Sequence, residues 1–487
     1  MPTIEKIKNK YNALSTPAKA SLWFVVCNSL QKATQIITTP IYTRMLTTEQ
    51  YGEYTVFLSW VEVVAIIATL DIFYSGFNVG MEKFKTDRKN YVSAMHGLCI
   101  ALTTVCMLVG FIFAKQFGAI MGISPIHIKL LICYMYVYPI YLFWSAQKKY
   151  DYNYKLLLII TAVMSIFTIV FGSLSAYVAI DKSTGVIIAK IVVEAIIACP
   201  LLFKSVNGIK SLFNKFYWHY ALKFNVPLIP HYLSTMILNH SDRIMILNMC
   251  SATDAAIYSV AYSIAMLMTI VQNAVNSAIT PWFYGKLSLK NYDGIKNIIG
   301  GVIGAMALLN LMLIIVAPEA VRLLSTKSYY DSMWIIPPVS FGVFITSIYG
   351  FFVNVELFYE NNKLAAYASF IAAITNLGLN LIFINRYGYI AAGYTTLASY
   401  VLLAIVHYLG VKKVCKSKSL DVNDIFDKKL ILLIIFLYSI ISIVMTLCYE
   451  RIFLRYCIIG IICLLMGIFR KKITFIMKAI KGERGKV

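Results

Sequence analysis

Apolar stretches of membrane-spanning length recur along the whole chain, separated by short polar intervals rich in lysine. Fourteen such blocks can be marked, at about 19–46, 51–80, 91–114, 126–147, 154–180, 184–203, 222–250, 255–284, 294–318, 329–358, 364–385, 388–411, 429–448 and 452–469. Each can bridge a hydrocarbon core about 30 Å thick. No polar interval exceeds about 20 residues, so no soluble domain is expected. The pattern predicts an all-α integral membrane protein with about 14 transmembrane helices.

Within two blocks the polar residues fall on stripes. Asn28, Lys32, Gln35 and Thr39 of the first block share an arc of about 60° at helical spacing. His231, Thr235, Asn239 and Asp242 of the seventh share about 80°, with Arg243 beside them. A shift of 203 residues puts Asn28 on His231, Lys32 on Thr235 and Thr39 on Asp242, while Gln35 lands on Leu238. YGEYTVFLS (51–59) aligns with AAIYSVAYS (255–263) at an offset of 204, and GVIIAK (185–190) with GYIAAG (388–393) at 203. These matches predict two six-helix lobes in a parallel repeat around a central cavity, with two C-terminal helices added. The corresponding divisions are 1–205 for the N-terminal lobe, 206–221 for a cytoplasmic linker, 222–412 for the C-terminal lobe, and 413–487 for the last two helices and a basic tail.

Composition agrees: 60% of the 487 residues are hydrophobic, mean hydropathy is +0.74 and only 14% are charged. A net charge of +22 could signal nucleic acid, but its placement argues otherwise. Thirty-two Lys and Arg lie in alternate intervals that include both termini, among them Lys6, Lys8 and Lys10, and nine lie in the opposite set. The positive-inside rule places both termini in the cytoplasm, and charge spread over eight loops is not a nucleic-acid face. The start shows no removable signal peptide. The ten cysteines include no CxxC pair and the histidines form no metal-spaced cluster, so no metal or other cofactor is expected.

An ionised side chain at mid-bilayer costs about 2.5 kcal/mol or more, so Lys32, Asp242 and Arg243 point to a wet cavity. For Thr39, Thr235 and Asn239, hydrogen bonding between helices is an equal alternative. Glu62, Asp71, Glu194 and Glu356 also lie within blocks. Asp71 and Glu356 read as coupling-ion sites or as counter-ions to Lys32 and Arg243. Lys190 and Glu194 are spaced as an intrahelical pair. Arg44, at the outer end of its block, is either an interfacial anchor or a cavity residue. Pro40, Pro227, Pro230, Pro337 and Pro338 predict bends in the first, seventh and tenth blocks.

Three segments resemble a known family. TRMLTTEQYGEYTVF (43–57), HSDRIMILNMCSATDAAIYSVAYSIA (240–265) and NLGLNLIFINRYGYIAAGYTTLASY (376–400) are similar to signatures of Wzx-type polysaccharide flippases. These belong to the multidrug/oligosaccharidyl-lipid/polysaccharide exporter superfamily. The matched positions are Arg44, Tyr51, Gly52, Asp242, Tyr258, Ser259, Asn376, Asn380, Tyr387 and Gly388. LDIFYSG, with Asp71, departs from the Gly-rich run more usual there. The resemblance implies transport of undecaprenyl-diphosphate-linked oligosaccharide to the outer leaflet of the cytoplasmic membrane, for O-antigen, capsule or exopolysaccharide synthesis, with no reaction catalysed.

On that reading the cavity residues are Asn28, Lys32, Gln35, Arg44, His231, Asn239 and Arg243, and the coupling or counter-ion residues are Asp71, Asp242 and Glu356. Partners are the lipid-linked substrate, membrane lipids, and a polymerase and chain-length proteins of the pathway, with no nucleic acid. The alternatives are a cation-coupled multidrug exporter of the same fold and a polysaccharide polymerase. Intramembrane cations disfavour the first, and the short outer loop 318–329 disfavours the second. No phosphate-cradling GxxxxGK[ST] motif occurs.

Overall fold

A computed structural model describes residues 16–73, 75–359, 362–458 and 460. Most of the fourteenth block, the basic tail, and Lys6, Lys8 and Lys10 fall outside the described residues. The described residues contain no strand. In chain order the first helices are α1 (Thr16–Met45), α2 (Thr48–Thr69), α3 (Ser75–Lys83), α4 (Arg88–Ile112), α5 (Ala114–Met121), α6 (Pro125–Tyr150), α7 (Tyr154–Val178) and α8 (Lys182–Ser205). Two short helices follow, α9 (Ile209–Leu212) and α10 (Lys215–Asn225), then a 3-10 turn over Val226–Leu228 and α11 (Ile229–Met249). Next come α12 (Ala252–Ala265), α13 (Leu267–Ser288), α14 (Ile295–Ile315), α15 (Ala317–Leu324) and a 3-10 segment, Lys327–Trp334. The last are α16 (Ile336–Phe358), α17 (Asn362–Tyr387), α18 (Ile390–Ser417), α19 (Val422–Ile425) and α20 (Lys428–Leu447).

Eleven helical stretches among the described residues are long and apolar enough to cross a membrane, and the chain is a multi-pass membrane protein. α1 (30 residues) and α11 (21 residues) match them in length but not in composition, because they carry the two polar stripes. Helices such as α7 turn Ile159, Ile166, Phe167, Val170 and Phe171 outward, which suits lipid rather than water.

Local chemistry sets several boundaries. Thr47 caps α2 through a capping box with Gln50, and Ser124 caps α6 with Pro125 in the first turn. Pro337 and Pro338 occupy the first turn of α16, where no donor is missed, so they start a helix instead of bending one. Likewise Pro227 sits in the 3-10 turn and Pro230 in the first turn of α11. Pro40 alone of the five lies inside its helix.

The second block is not one helix. α2 stops at Thr69, and Leu70 and Asp71 follow with φ of 51° and 45°, a left-handed pair that costs about 1–2 kcal/mol per residue without glycine. Neighbouring side chains cap the break. Thr103 Oγ1 donates to the Ala68 carbonyl at 3.5 Å, and the Asp71 N–H donates to Thr69 Oγ1 at 3.3 Å. Beneath it Phe73, Phe77, Tyr91 and Phe143 form a buried aromatic core.

The chain divides into two compact units, 1–256 and 257–487, the boundary falling inside α12. In the first unit α1 packs chiefly on α7, and α11 packs along α2. In the second, α16 and α17 both pack on α18, and α14 packs on α20. Element order repeats along the chain. Helix starts Thr48 and Ala252 are 204 positions apart, and the eight-residue helices α5 and α15 start 203 apart, each one residue after a long helix.

Candidate functional site

The first stripe lies on α1. Asn28 is exposed and accepts a hydrogen bond from Lys149 Nζ at 3.4 Å, while Lys32 is half-buried. Gln35 is exposed, and its carbonyl accepts the Thr38 and Thr39 hydroxyls at 3.0 and 2.9 Å. Thr39 is buried and also lies 3.4 Å from the Tyr51 hydroxyl. Arg44 is exposed and folds back on its own helix, Nη1 donating to the Pro40 carbonyl at 2.7 Å.

The second stripe lies on α11. His231 is half-buried, and its Nδ1 has no hydrogen-bond partner among the described residues. Its carbonyl accepts Thr235 Oγ1 at 3.2 Å, and the Thr235 carbonyl in turn accepts Asn239 Nδ2 at 2.7 Å. Asp242 and Arg243 are 3% and 6% exposed, enclosed in protein where α11 runs along α2. The two stripes therefore sit on helices with different main neighbours, α7 for α1 and α2 for α11.

Glu356 on α16 is fully buried, and its Oε2 lies 2.8 Å from His407 Nδ1 on α18. Its Oε1 has no hydrogen-bond partner among the described residues. The Tyr349 ring stacks on His407 at 5.5 Å and 11°. Glu356, expected as a coupling-ion site or a counter-ion, thus has His407 as a partner, 51 positions along the chain. Asp71 is buried at the α2 break, 7% exposed.

Sequence reading also missed a tyrosine–carboxylate network in the first unit. The Tyr138 hydroxyl donates to Glu62 at 3.2 Å, and that of Tyr134 to Glu194 Oε2 at 2.5 Å. The two rings meet edge-on at 5.6 Å. Lys190 pairs with Glu194 one turn away, as expected, and lies 5.6 Å over the Tyr134 ring. The acids Glu62 and Glu194 stood out within their blocks, and the tyrosines at positions 134 and 138, one turn apart, are the further signal that could have found it.

The family-matched motifs hold helices together. A Cβ at Gly52 would come within 1.9 Å of the Ala252 carbonyl oxygen, and the Thr48 and Thr253 hydroxyls lie 3.3 Å apart. The starts of α2 and α12, equivalent in the repeat, thus touch. Tyr258 and Ser259 are buried. Asn376 Nδ2 donates to Thr396 Oγ1 at 3.0 Å, Asn380 Nδ2 donates to Asn376 Oδ1 at 3.3 Å, and the Thr395 hydroxyl donates to Asn380 Oδ1. This buried ladder fastens α17 to α18.

Residues 18–285 match the family model described as polysaccharide biosynthesis protein. Over 164 residues the chain is 29% identical to a protein of the Lsg locus of Haemophilus influenzae, a match spanning 32% of this chain and 39% of that relative. Its fold is similar to that of the lipid II flippase MurJ in an inward closed conformation, with a TM-score of 0.64, 16% identity, and coverage of 90% of this chain and all of the other. An inward-facing multidrug MATE transporter of the MOP superfamily is also similar, with a TM-score of 0.63, 11% identity, and 79% and 95% of the two chains covered. Both likenesses, at such low identity, concern the fold. With more than half of its length matched by the family model, this chain belongs to the polysaccharide biosynthesis protein family.

Proposed function

We propose that the protein is a flippase for lipid-linked oligosaccharides, moving undecaprenyl-diphosphate-linked repeat units across the cytoplasmic membrane by alternating access. The product would enter O-antigen, capsule or exopolysaccharide assembly, with a polymerase and chain-length proteins acting next. The observation that carries this reading is the pair of cations kept within helices of membrane-spanning length, Lys32 on α1 and Arg243 on α11. A diphosphate brings strong negative charge into a low-dielectric path, and a cation there offsets it far better than in water. Lys32, half-buried, meets the head group first. Arg243, enclosed between α11 and its neighbours, becomes available when α11 separates from α2.

Asn28, Gln35, Arg44, His231 and Asn239 supply donors and acceptors for sugar hydroxyls and phosphate. Asp71, Asp242 and Glu356 act as coupling or counter-ion residues, Glu356 jointly with His407. The lobes are 1–205 and 222–412, both termini face the cytoplasm by the lysine bias, and membrane lipids solvate the rest. No bond in the carried molecule is made or broken.

Deleting the gene tests the reading. Lipid-linked oligosaccharide should accumulate and surface polymer disappear, with drug susceptibility unchanged. Normal surface polymer overturns it, and a gain in drug susceptibility alone favours a multidrug exporter of the same fold.

A further inference from the structure

The stretch after α8 reads as a plain linker, yet it folds and is fastened to the first unit. The Asn207 backbone N–H donates to Ser93 Oγ at 2.7 Å and its Nδ2 to Asn90 Oδ1 at 2.8 Å. α9 lies so close to α4 that a Cβ at Gly97 would come within 2.0 Å of the Leu212 carbonyl oxygen. Tyr217 donates to Asp87 Oδ2 at 2.5 Å, and Trp218 Nε1 to the carbonyls of Ala94 and Leu212 at 2.9 and 3.0 Å. Burial, with the hydrogen bond to Asp87, pushes the Tyr217 phenol up to about 12, so it remains a donor at physiological pH. Phe84 packs edge-on against Tyr217 and Tyr220 at 4.9 and 5.0 Å.

With one face fixed in this way, the other is unusually apolar and uniformly cationic. Ile209, Phe213 and Phe216 are 77%, 65% and 67% exposed. Lys210, Lys215 and Lys223 are exposed among them, and no acidic residue occurs from Phe203 to Val226. Lys83 lies 4.6 Å over the Tyr220 ring and adds to the charge. The nearby acids are engaged elsewhere, Asp87 by Tyr217 and Glu82 by the Tyr150 hydroxyl and Lys85. Large exposed apolar side chains with interleaved lysines describe an element lying in a membrane interface, where lysine meets anionic headgroups. Its backbone is already ordered, so binding costs little further entropy.

We infer that residues 203–226 form a docking surface for anionic phospholipid headgroups, with Ile209, Phe213 and Phe216 entering the acyl boundary while Lys210, Lys215 and Lys223 contact phosphate. This holds whatever the protein carries.

The test is thermal unfolding of the full chain in neutral detergent, titrated with dioleoyl-phosphatidylglycerol or dioleoyl-phosphatidylcholine. Phosphatidylglycerol should raise the midpoint, phosphatidylcholine should not, and high salt should blunt the effect. The triple variant Lys210→Gln, Lys215→Gln, Lys223→Gln should need at least about tenfold more phosphatidylglycerol. A control removing equal charge, Lys412→Gln, Lys413→Gln, Lys416→Gln, should respond like the parent. Equal responses of parent and triple variant, or an equal loss in the control, overturn the proposal. Hydrogen exchange of the unaltered protein in nanodiscs gives a check free of substitutions. Protection of 209–223 should rise when half the phosphatidylcholine is replaced by phosphatidylglycerol, and unchanged protection, or protection conferred instead by an added acidic soluble protein, overturns it.

Discussion

Gly52 lies against the carbonyl oxygen of Ala252, closer than any side chain would allow. The contact joins the starts of α2 and α12, which correspond in the internal repeat, and it explains a glycine within the first turns of a helix. Gly52→Ala should therefore destabilise by about 1–3 kcal/mol through overpacking, and Gly52→Val by more. Gly350→Ala, where nothing lies within 4 Å, should be neutral or gain up to about 1 kcal/mol. Thermal midpoints of the detergent-solubilised variants compare the two directly.

The buried Glu356–His407 pair gives a second test. His407→Leu leaves both Glu356 oxygens without a hydrogen bond and should cost about 3 kcal/mol. The double variant Glu356→Leu with His407→Leu removes both polar groups and should recover much of that loss. A double-mutant cycle on unfolding midpoints measures the coupling.

Arg455, 1% exposed, makes two bonds to Glu319, at 2.8 and 2.7 Å, and a third to the Ile315 carbonyl at 3.0 Å, tying the stretch that follows α20 to α14 and α15. Burial alone would raise the Glu319 carboxyl, but the Arg455 bonds outweigh it and hold it below its ordinary value. A carboxyl lowered on folding stabilises above its unfolded value, about 4.3 for Glu, and loses that contribution as pH falls through the folded value. Arg455→Met should thus cost about 3 kcal/mol near neutral pH, and the gap to the parent should narrow on acidification. Midpoints measured from about pH 7 down to about pH 3 follow it.

Local spacing made much of this architecture legible in the sequence. The Lys190–Glu194 pair follows from one turn of helix, and the polar stripes of α1 and α11 from their periodicity. Contacts between distant residues carried no such signal. His407 is 51 positions from Glu356, and Tyr138 is 76 from Glu62. The break at Leu70–Asp71 has neither glycine nor proline at the turn, so a continuous apolar run concealed it. The folded linker was likewise hidden, because aromatic residues that pack on α4 look from sequence like a short polar interval's exceptions.

The role of Lys32 in carrying the lipid-linked substrate is measured by complementation of a deletion strain, following surface polymer, lipid-linked oligosaccharide and protein level together. Removing one charge-assisted contact worth about 2 kcal/mol should lower flux by roughly tenfold or more. Lys32→Ala, and Arg243→Ala beside it, should lose surface polymer and accumulate the lipid-linked intermediate at normal protein level, with Lys32→Arg retaining most of the activity. Wild-type surface polymer in both alanine variants would contradict a role for these two cations in moving the substrate.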